Sequence, residues 1–317
     1  MKNKKTLLAF IMLLLTVAAL GTASYAWFSA STQAVLGDID VNVTASNGIQ
    51  ISMDAANWKG TLTTEDIKGA AYDGNKNQIP TTLTPVSTIG SQTTGKFEMF
   101  DGIVDEEGVE PLLTLSAADA EKSTTEEGHY IAFDLFVKSA AEREIALDTG
   151  SAVVATNTEE PDKPAVDAGL MYSSRVAFFN QGTDVTNTPS AAIAKSTGSN
   201  LSQTIWEPNA NDHTVYAKNS LSADGLMSTY GAKAAGENIV LENTSTDTTH
   251  FALQNTVQSN VGEVPTATMF TVQPGITKVR VYIWIEGQDI DCENNASTGT
   301  GIRTTLKLKA VTNTNGE

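Results

Sequence analysis

Acidic side chains alternate along one stretch near the C-terminus of the chain. Asp289, Asp291 and Glu293 are each separated by a single residue. Carboxylate oxygens are the ligands that calcium prefers, and helical calcium-binding loops place them at alternate positions. Such a loop also needs glycine where this chain has Asn294 and a bidentate acid where it has Thr300. We therefore expect a polar loop and no cofactor here, with Ca²⁺ on the three acids as the alternative.

The signatures of common enzymes are absent from the sequence. The three histidines, His129, His213 and His250, are far apart, and no His-Glu-x-x-His pair supports a zinc protease. No Gly-x-Ser-x-Gly motif marks a hydrolase nucleophile. Gly90 to Lys96 fits a phosphate loop, but the next residue lacks the hydroxyl that binds Mg²⁺. We predict that the protein is not an enzyme and has no catalytic residues, although paired carboxylates of glycosidase type stay open.

A single cysteine, Cys292, excludes a disulfide within the chain. The fold must therefore be held by its apolar core. Cys292 is either a small buried hydrophobe or a loop thiol. A bridge between two chains has no support in the sequence.

The N-terminus has the three parts of a secretion signal. Lys2, Lys4 and Lys5 precede an uncharged apolar run from Leu7 to Leu20, and Ser24-Tyr25-Ala26 forms a small-x-small cleavage site. The run is shorter than the roughly 20 residues that a membrane-spanning helix needs. We predict a signal helix over 1–26, cut between Ala26 and Trp27. An uncleaved membrane anchor is the alternative.

The rest of the chain is strongly acidic. The whole chain has 317 residues, with 20 Lys and Arg against 37 Asp and Glu. Removal of the predicted signal takes away three lysines and no acids, which leaves a net charge of −20. Such a charge argues against nucleic acid or anionic lipid as a partner. It suits a soluble extracellular protein, divalent cations or a basic partner. About 290 residues are enough for one large sandwich or two smaller domains.

Period-2 alternation of apolar residues predicts strands through most of the body. Gly37–Val43 and Ile49–Met53 alternate around Asn47-Gly48, a strong turn signal, so we predict a hairpin over 37–53. Short helices are expected over Thr63–Ala70 and over Ser116–Lys122, the second with Ser116 as its N-cap.

The clearest strand is Tyr130–Val137, whose apolar residues on both faces predict that both faces are partly covered. We expect Glu144–Asp148 to pair back onto it after a turn. Leu170–Phe179, Ile276–Glu286 and Ile302–Val311 are further predicted strands. The fold class is therefore all-β, an antiparallel sandwich with long loops and a few short helices.

The junction between the signal and the body carries a family resemblance. Tyr25-Ala26-Trp27-Phe28-Ser29, followed by a strand rich in Thr and Ser, resembles the signals cut by SipW-class peptidases. The proteins with such signals are the TasA/camelysin-like secreted fibre proteins, and the resemblance is firmest over residues 1–45. It implies a jelly-roll-like β-sandwich. It also implies that subunits polymerise when the N-terminal segment of one pairs as a strand in the next.

These expectations divide the chain into four parts. The signal (1–26) precedes an N-terminal arm (27–36), a β-sandwich domain (37–312) with a decorated insertion around 180–236, and a tail (313–317). The arm is extended and uncharged, and its apolar residues Trp27, Phe28, Val35 and Leu36 are the candidate assembly residues. An unpaired strand seeks a sheet edge, so the arm either complements a neighbouring subunit or folds back into its own sandwich.

We therefore expect a secreted structural subunit of an extracellular surface or biofilm-matrix fibre. Its partners would be a SipW-like signal peptidase and further copies of itself, with no membrane association after cleavage. The alternative is a monomeric cell-surface binding module or adhesin that recognises glycan or protein.

Overall fold

A computed structural model of the chain describes residues 34–36, 40–41, 48–88, 90, 92–93, 96–105, 112–117, 127–157, 169–195, 201–214, 240–241, 255–287, 289, 291–292 and 300–311. This part of the chain is mostly β, with antiparallel and mixed sheets and a few short helices. None of the described helices is long and apolar enough to cross a membrane. The predicted signal helix lies outside the described residues.

The short helices are α1 (Thr64–Lys68), α2 (Leu170–Ser173) and α3 (Pro189–Ile193). The strands are β1 (Ala34–Leu36), β2 (Asp40–Val41), β3 (Ile49–Ser52), β4 (Leu62–Thr63), β5 (Thr82–Leu83), β6 (Gln92–Thr93), β7 (Lys96–Phe97), β8 (Phe100–Asp105), β9 (Leu112–Ala117), β10 (Glu127–Gly128), β11 (Tyr130–Ser139), β12 (Arg143–Leu147), β13 (Ala152–Asn157), β14 (Ser174–Asp184), β15 (Gln203–Glu207), β16 (Val240–Leu241), β17 (Val257–Gln258), β18 (Thr268–Val272), β19 (Gly275–Ile285), β20 (Thr300–Thr305) and β21 (Leu308–Val311).

The three longest strands form the middle of a six-stranded sheet in the order β17-β15-β14-β19-β11-β3. β19 pairs antiparallel with the whole length of β11, from Trp284 opposite Tyr130 to Gly275 opposite Ser139. Its other edge pairs antiparallel with β14. The predicted strands Tyr130–Val137 and Ile276–Glu286 are therefore confirmed, and they are neighbours.

Both faces of this central sheet are buried. On one face, Phe133, Val281 and their neighbours pack with residues such as Val153, Ile302 and Leu308 from the other sheets into the main apolar core. On the opposite face, Tyr130, Ala132, Tyr282 and Trp284 pack with Val86, Phe97 and Met99. The prediction that β11 is covered on both sides is confirmed.

Two further sheets supply the layer across the main core. A seven-stranded mixed sheet runs β10-β5-β1-β20-β2-β4, with β13 on the remaining edge of β20, and a three-stranded sheet runs β18-β12-β21. β1 and β2 both lie parallel to β20, along one edge of that strand. Smaller sheets join β16-β9-β8 and β6-β7.

The predicted hairpin over 37–53 is wrong. Gly48 does adopt a positive φ of 83°, as a turn requires. However, β2 pairs with β4 and β20, whereas β3 pairs with β11 in the central sheet. Alternation predicts each strand correctly but does not choose its partner, and here the buried partners are distant in sequence.

The predicted pairing of 144–148 with β11 is also wrong. β12 pairs with β18 and β21, so the chain passes from the central sheet to the opposite layer within a few residues. Ser139 assists this turn because its hydroxyl donates to the carbonyl of Ala141 at 2.6 Å. A sandwich needs such crossings, since each layer buries only one side of the shared core.

Three boundaries differ from the predictions, and one helix is confirmed. Ser116 lies in β9, opposite Asp101, so it is not a helix N-cap. The predicted strand 170–179 begins with α2, and the predicted strand 302–311 divides into β20 and β21, which belong to different sheets. The helix predicted over 63–70 is α1, where Thr63 and Asp66 form a reciprocal capping box.

Candidate functional site

Ionisable side chains gather at one end of the central sheet. Arg175 lies near the start of β14, opposite Trp284 of β19, and next to Val176, which is opposite Trp206 of β15. Because the strands are antiparallel, the start of β14 meets the ends of β15 and β19, where Glu207 and Glu286 lie. All three charged side chains are about 1% exposed.

Arg175 is the cation at the centre of this cluster. Its Nη2 lies 3.1 Å from Oε1 of Glu207 and 2.6 Å from Oδ2 of Asp289. Its Nη1 donates to the carbonyl oxygens of Tyr172 and Ser174. Burial alone would lower the pKa of Arg175, but Glu207, Asp289 and Glu286 raise it above the ordinary value.

The two glutamates also accept bonds from neutral donors. The Oε2 atom of Glu207 accepts from the hydroxyl of Thr256 at 2.5 Å and from the amide of Gln258 at 3.1 Å. The indole N–H of Trp284 donates to Oε2 of Glu286 at 3.1 Å. These contacts connect the cluster to β17 and to the second apolar face of the sheet.

Asp289 and Asp291 connect two segments that leave the sheet. Oδ1 of Asp289 accepts from the amide of Asp291 at 2.9 Å. Asp291 in turn accepts from the amide of Thr214 at 2.7 Å and lies 2.6 Å from Nδ1 of His213. The residues after β15 and the residues after β19 are thereby joined through buried polar contacts.

Asp289 and His213, at the two ends of this series of contacts, have unusual surroundings. Burial raises the pKa of Asp289 well above its usual range, and the negative charges of Asp291 and Glu207 act in the same direction against Arg175. At the other end, Nε2 of His213 is buried and has no hydrogen-bond partner among the described residues. Asp289 is therefore a buried acid whose pKa its surroundings shift.

Asp289 and Asp291, two of the alternating acids, are buried and do not lie in a solvated loop. Asp289 and Asp291 are about 4% and 1% exposed, and every oxygen of both carboxylates accepts a protein hydrogen bond. Glu293 lies outside the described residues. Within the described ranges, no group of three or more His, Cys, Asp or Glu side chains is arranged to hold a metal ion. Calcium binding by the three acids stays a prediction.

Cys292 follows the cluster directly and is buried. Its side chain belongs to the main apolar core, and its amide donates to the carbonyl oxygen of Asp289 at 3.0 Å. The interpretation of Cys292 as a small buried hydrophobe is confirmed. It is nevertheless also part of the segment that carries the two aspartates.

Sequence reasoning missed Arg175, Glu207 and Glu286 and gave His213 no role. A signal was present, because Glu207 follows Ile205-Trp206 and Glu286 directly follows a strand of eleven buried residues. A charge at the end of a fully buried strand needs a partner. The identity of that partner depends on which strands are neighbours, and the alternation does not reveal this.

A second buried ionic group lies in the middle of the sheet. Asp134 of β11 is opposite Arg280 of β19, and its carboxylate contacts Arg280 at 2.8 Å, Lys278 at 3.0 Å and the hydroxyl of Tyr72 at 2.7 Å. Burial works to raise the pKa of Asp134, but the two cations and Tyr72 hold it below the usual range. This group is an ionised, fully bonded contact between strands.

The candidate assembly arm is described only at its end. Val35 and Leu36 lie in β1, which pairs parallel with β20 and antiparallel with β5 of the same chain. This is the arrangement expected if the arm folds back into its own sandwich. Trp27 and Phe28, and the cleavage residues Ser24 and Ala26, lie outside the described residues.

The geometry gives the cluster a clear chemical capacity. Its ion pairs and hydrogen bonds hold neighbouring segments together. Its side chains are closed to solvent, so a substrate has no access to the described atoms. Comparison of the chain with models of protein families, with curated proteins and with solved structures finds no match.

Proposed function

We propose that this protein is a secreted structural subunit of an extracellular fibre, which assembles when the N-terminal arm of one subunit enters the sheet of the next. The observation that carries the proposal is the position of β1. This strand has a partner on both edges, β5 on one and β20 on the other, and both partners come from later in the chain. The sheet therefore has a two-sided slot for an N-terminal strand.

The slot supports assembly because identical subunits offer identical slots. A segment that pairs with β5 and β20 within one chain makes the same bonds with β5 and β20 of a second chain, so exchange costs little pairing energy. The secretion signal and the Trp-Phe start of the mature chain add to the proposal, because cleavage would free this segment. We further propose that the sandwich has jelly-roll topology, in line with the family that the signal resembles.

A pair of cysteines distinguishes the two positions of the arm. Val35 and Thr82 are directly opposite in an antiparallel pair, a spacing that suits a disulfide. In a Cys292→Ala background, mature protein with Val35→Cys and Thr82→Cys should form fibres whose subunits are covalently linked in series. Denaturing electrophoresis without reductant then shows a ladder.

The matched control is Val41→Cys with Leu62→Cys, which are opposite in the β2–β4 pair beyond the proposed arm. This pair should close within each chain in every case. If fibres form but the 35–82 disulfide closes within each chain, the protein is a fibre subunit that does not assemble by strand exchange. A stable monomer at high concentration, or unchanged fibre yield by electron microscopy after deletion of 27–36, would reject the proposed assembly. The stable monomer would favour a monomeric binding module.

A further inference from the structure

Strands from the two ends of the described chain are direct neighbours in the seven-stranded sheet. β1 lies beside the start of β20, with Val35 opposite Gly301, and β2 lies beside the end of β20, with Asp40 opposite Thr305. Both of these N-terminal strands run parallel to β20. In a parallel pair, the first residue of one strand and the last residue of the other lie at opposite ends of the pair.

This arrangement determines how the sheet responds to tension along the chain. A load that enters before β1 and leaves after β20 pulls the neighbouring strands in opposite directions along their own axes. All the hydrogen bonds between them are then strained together. In an antiparallel pair the two loaded ends would lie side by side, and the bonds would break one after another. Because one backbone hydrogen bond contributes little on its own, joint rupture needs much more force than stepwise rupture.

The strands on either side keep β1, β2 and β20 in place under such a load. β13 pairs antiparallel with the other edge of β20 along all six residues of that strand. β5 pairs with the second edge of β1, and β4 pairs with the second edge of β2. The N-terminal strands are therefore bonded on both edges, and lengthwise displacement strains both rows of bonds.

Apolar burial shields one side of this part of the sheet. Leu62 of β4, Leu83 of β5 and Ile302 of β20 are each no more than 1% exposed and pack in the main apolar core. Water that reaches a strained amide or carbonyl group can offer a replacement hydrogen bond. A row of bonds with a dry side is less open to this exchange, so we expect it to resist rupture better.

We propose that β1, β2 and β20 form a mechanical clamp, through which the fold bears tension between the N-terminal and C-terminal parts of the chain. The inference goes beyond the proposed fibre and does not depend on it, because every pairing in the clamp joins residues of one chain. A strand from a neighbouring subunit in the same slot would be loaded in the same way.

Single-molecule force spectroscopy tests the clamp by changing only the end of β20 that is pulled. In the full chain with Cys292→Ala, one handle is attached at the N-terminus and the other at the new cysteine of Lys307→Cys or of Thr300→Cys. Lys307 follows the end of β20, so its handle loads the clamp lengthwise. Thr300 begins β20 beside β1, so its handle peels the two strands apart from one end. The rupture force should be several-fold higher for Lys307→Cys.

Two controls separate the direction of pulling from the strength of the fold. Urea unfolding should give the two variants equal free energies of unfolding, because both contain the same pairings. Forced unfolding reports the barrier instead, and this barrier depends on the direction of the load. The unsubstituted chain pulled by its two ends is also loaded along β20, so its rupture force should match that of Lys307→Cys. Equal forces at the two handle positions, or an end-to-end force as low as that of Thr300→Cys, would overturn the proposal.

Discussion

Arg175 compensates more buried negative charge than any other described residue of the cluster. It contacts Glu207 and Asp289 directly, and all three side chains are almost fully buried. Removal of one member of a buried ion pair leaves the remaining charge without compensation, which costs far more than the pair itself contributes. We therefore expect Arg175 to matter for stability because its removal would leave buried acidic side chains without their cation.

Replacement of Arg175 by methionine should lower the free energy of unfolding by about 3–5 kcal/mol, because two carboxylates lose their cation. Urea unfolding at pH 7 measures the change. The control is Arg303→Met on an exposed side chain of β20, which should change stability by less than about 0.5 kcal/mol. An equal effect of the two substitutions would show that the charge of Arg175 is not needed for the fold.

Single residues were only partly predictable from the sequence. The spacing of Asp289 and Asp291 singled out the right segment, because acids at alternate positions are a recognisable pattern. Their partners, Arg175 and His213, are more than 75 residues away in the chain. Sequence separation of this size hides a contact, since loop closure over many residues has no local pattern. The calcium interpretation arose because the sequence shows the acids but not their distant partners.

At the level of elements, the long strands were easier to predict than their partners. β11 and β19 show strong alternation and large apolar residues on both faces, which only a buried central strand can accommodate. β2 and β12 have the same alternation in shorter form, and the pairing predicted for each was wrong. A short strand gains most of its stabilisation from the neighbours that it packs against, so its own residues do not specify where it pairs.

The start of β19 depends on a glycine. Gly275 has a φ of 128°, and a Cβ atom built there would overlap the carbonyl of Asp184 at the end of β14. Gly275→Ala should therefore lower the free energy of unfolding by about 3 kcal/mol or more, from backbone strain and displacement of β14. Gly262→Ala is the control, because its φ is 77° and no atom lies near its Cβ position.

For Gly262→Ala we expect a loss of about 1 kcal/mol from strain alone. Thermal unfolding compares the two variants under the same conditions. Equal stability of the two variants would contradict the close contact between Gly275 of β19 and Asp184 of β14.

At the level of the whole molecule, the all-β class followed from composition and alternation, whereas the layer arrangement did not. The chain divides its apolar residues between two faces of one sheet, and the sequence shows this as an abundance of Val, Ile and Phe in β11, β14 and β19. The crossing of the chain from one layer to the other occurs in short turns such as 139–142. Such turns contain so few residues that their sequence does not show which layer the next strand joins.

The charge of the chain leads to a prediction about the proposed assembly. Subunits cut at the proposed site after Ala26 would carry a net charge of −20 and repel one another, and salt screens this repulsion with a Debye length of about 10 Å at 0.1 M. Fibre growth should therefore accelerate several-fold between 20 mM and 200 mM NaCl, as followed by light scattering. A rate that is independent of salt would indicate that the contact surfaces are locally neutral.

The order of the strands has a consequence for how the chain is made. β11 ends at residue 139 and β14 ends at residue 184, but β19, which lies between them, begins only at residue 275. The chain is synthesised from its N-terminus, so β11 and β14 are complete long before β19. The edges of β11 and β14 that pair with β19 therefore stay unpaired until most of the chain has been made. We therefore expect nascent chains to be most prone to aggregation in the interval before β19 has been synthesised.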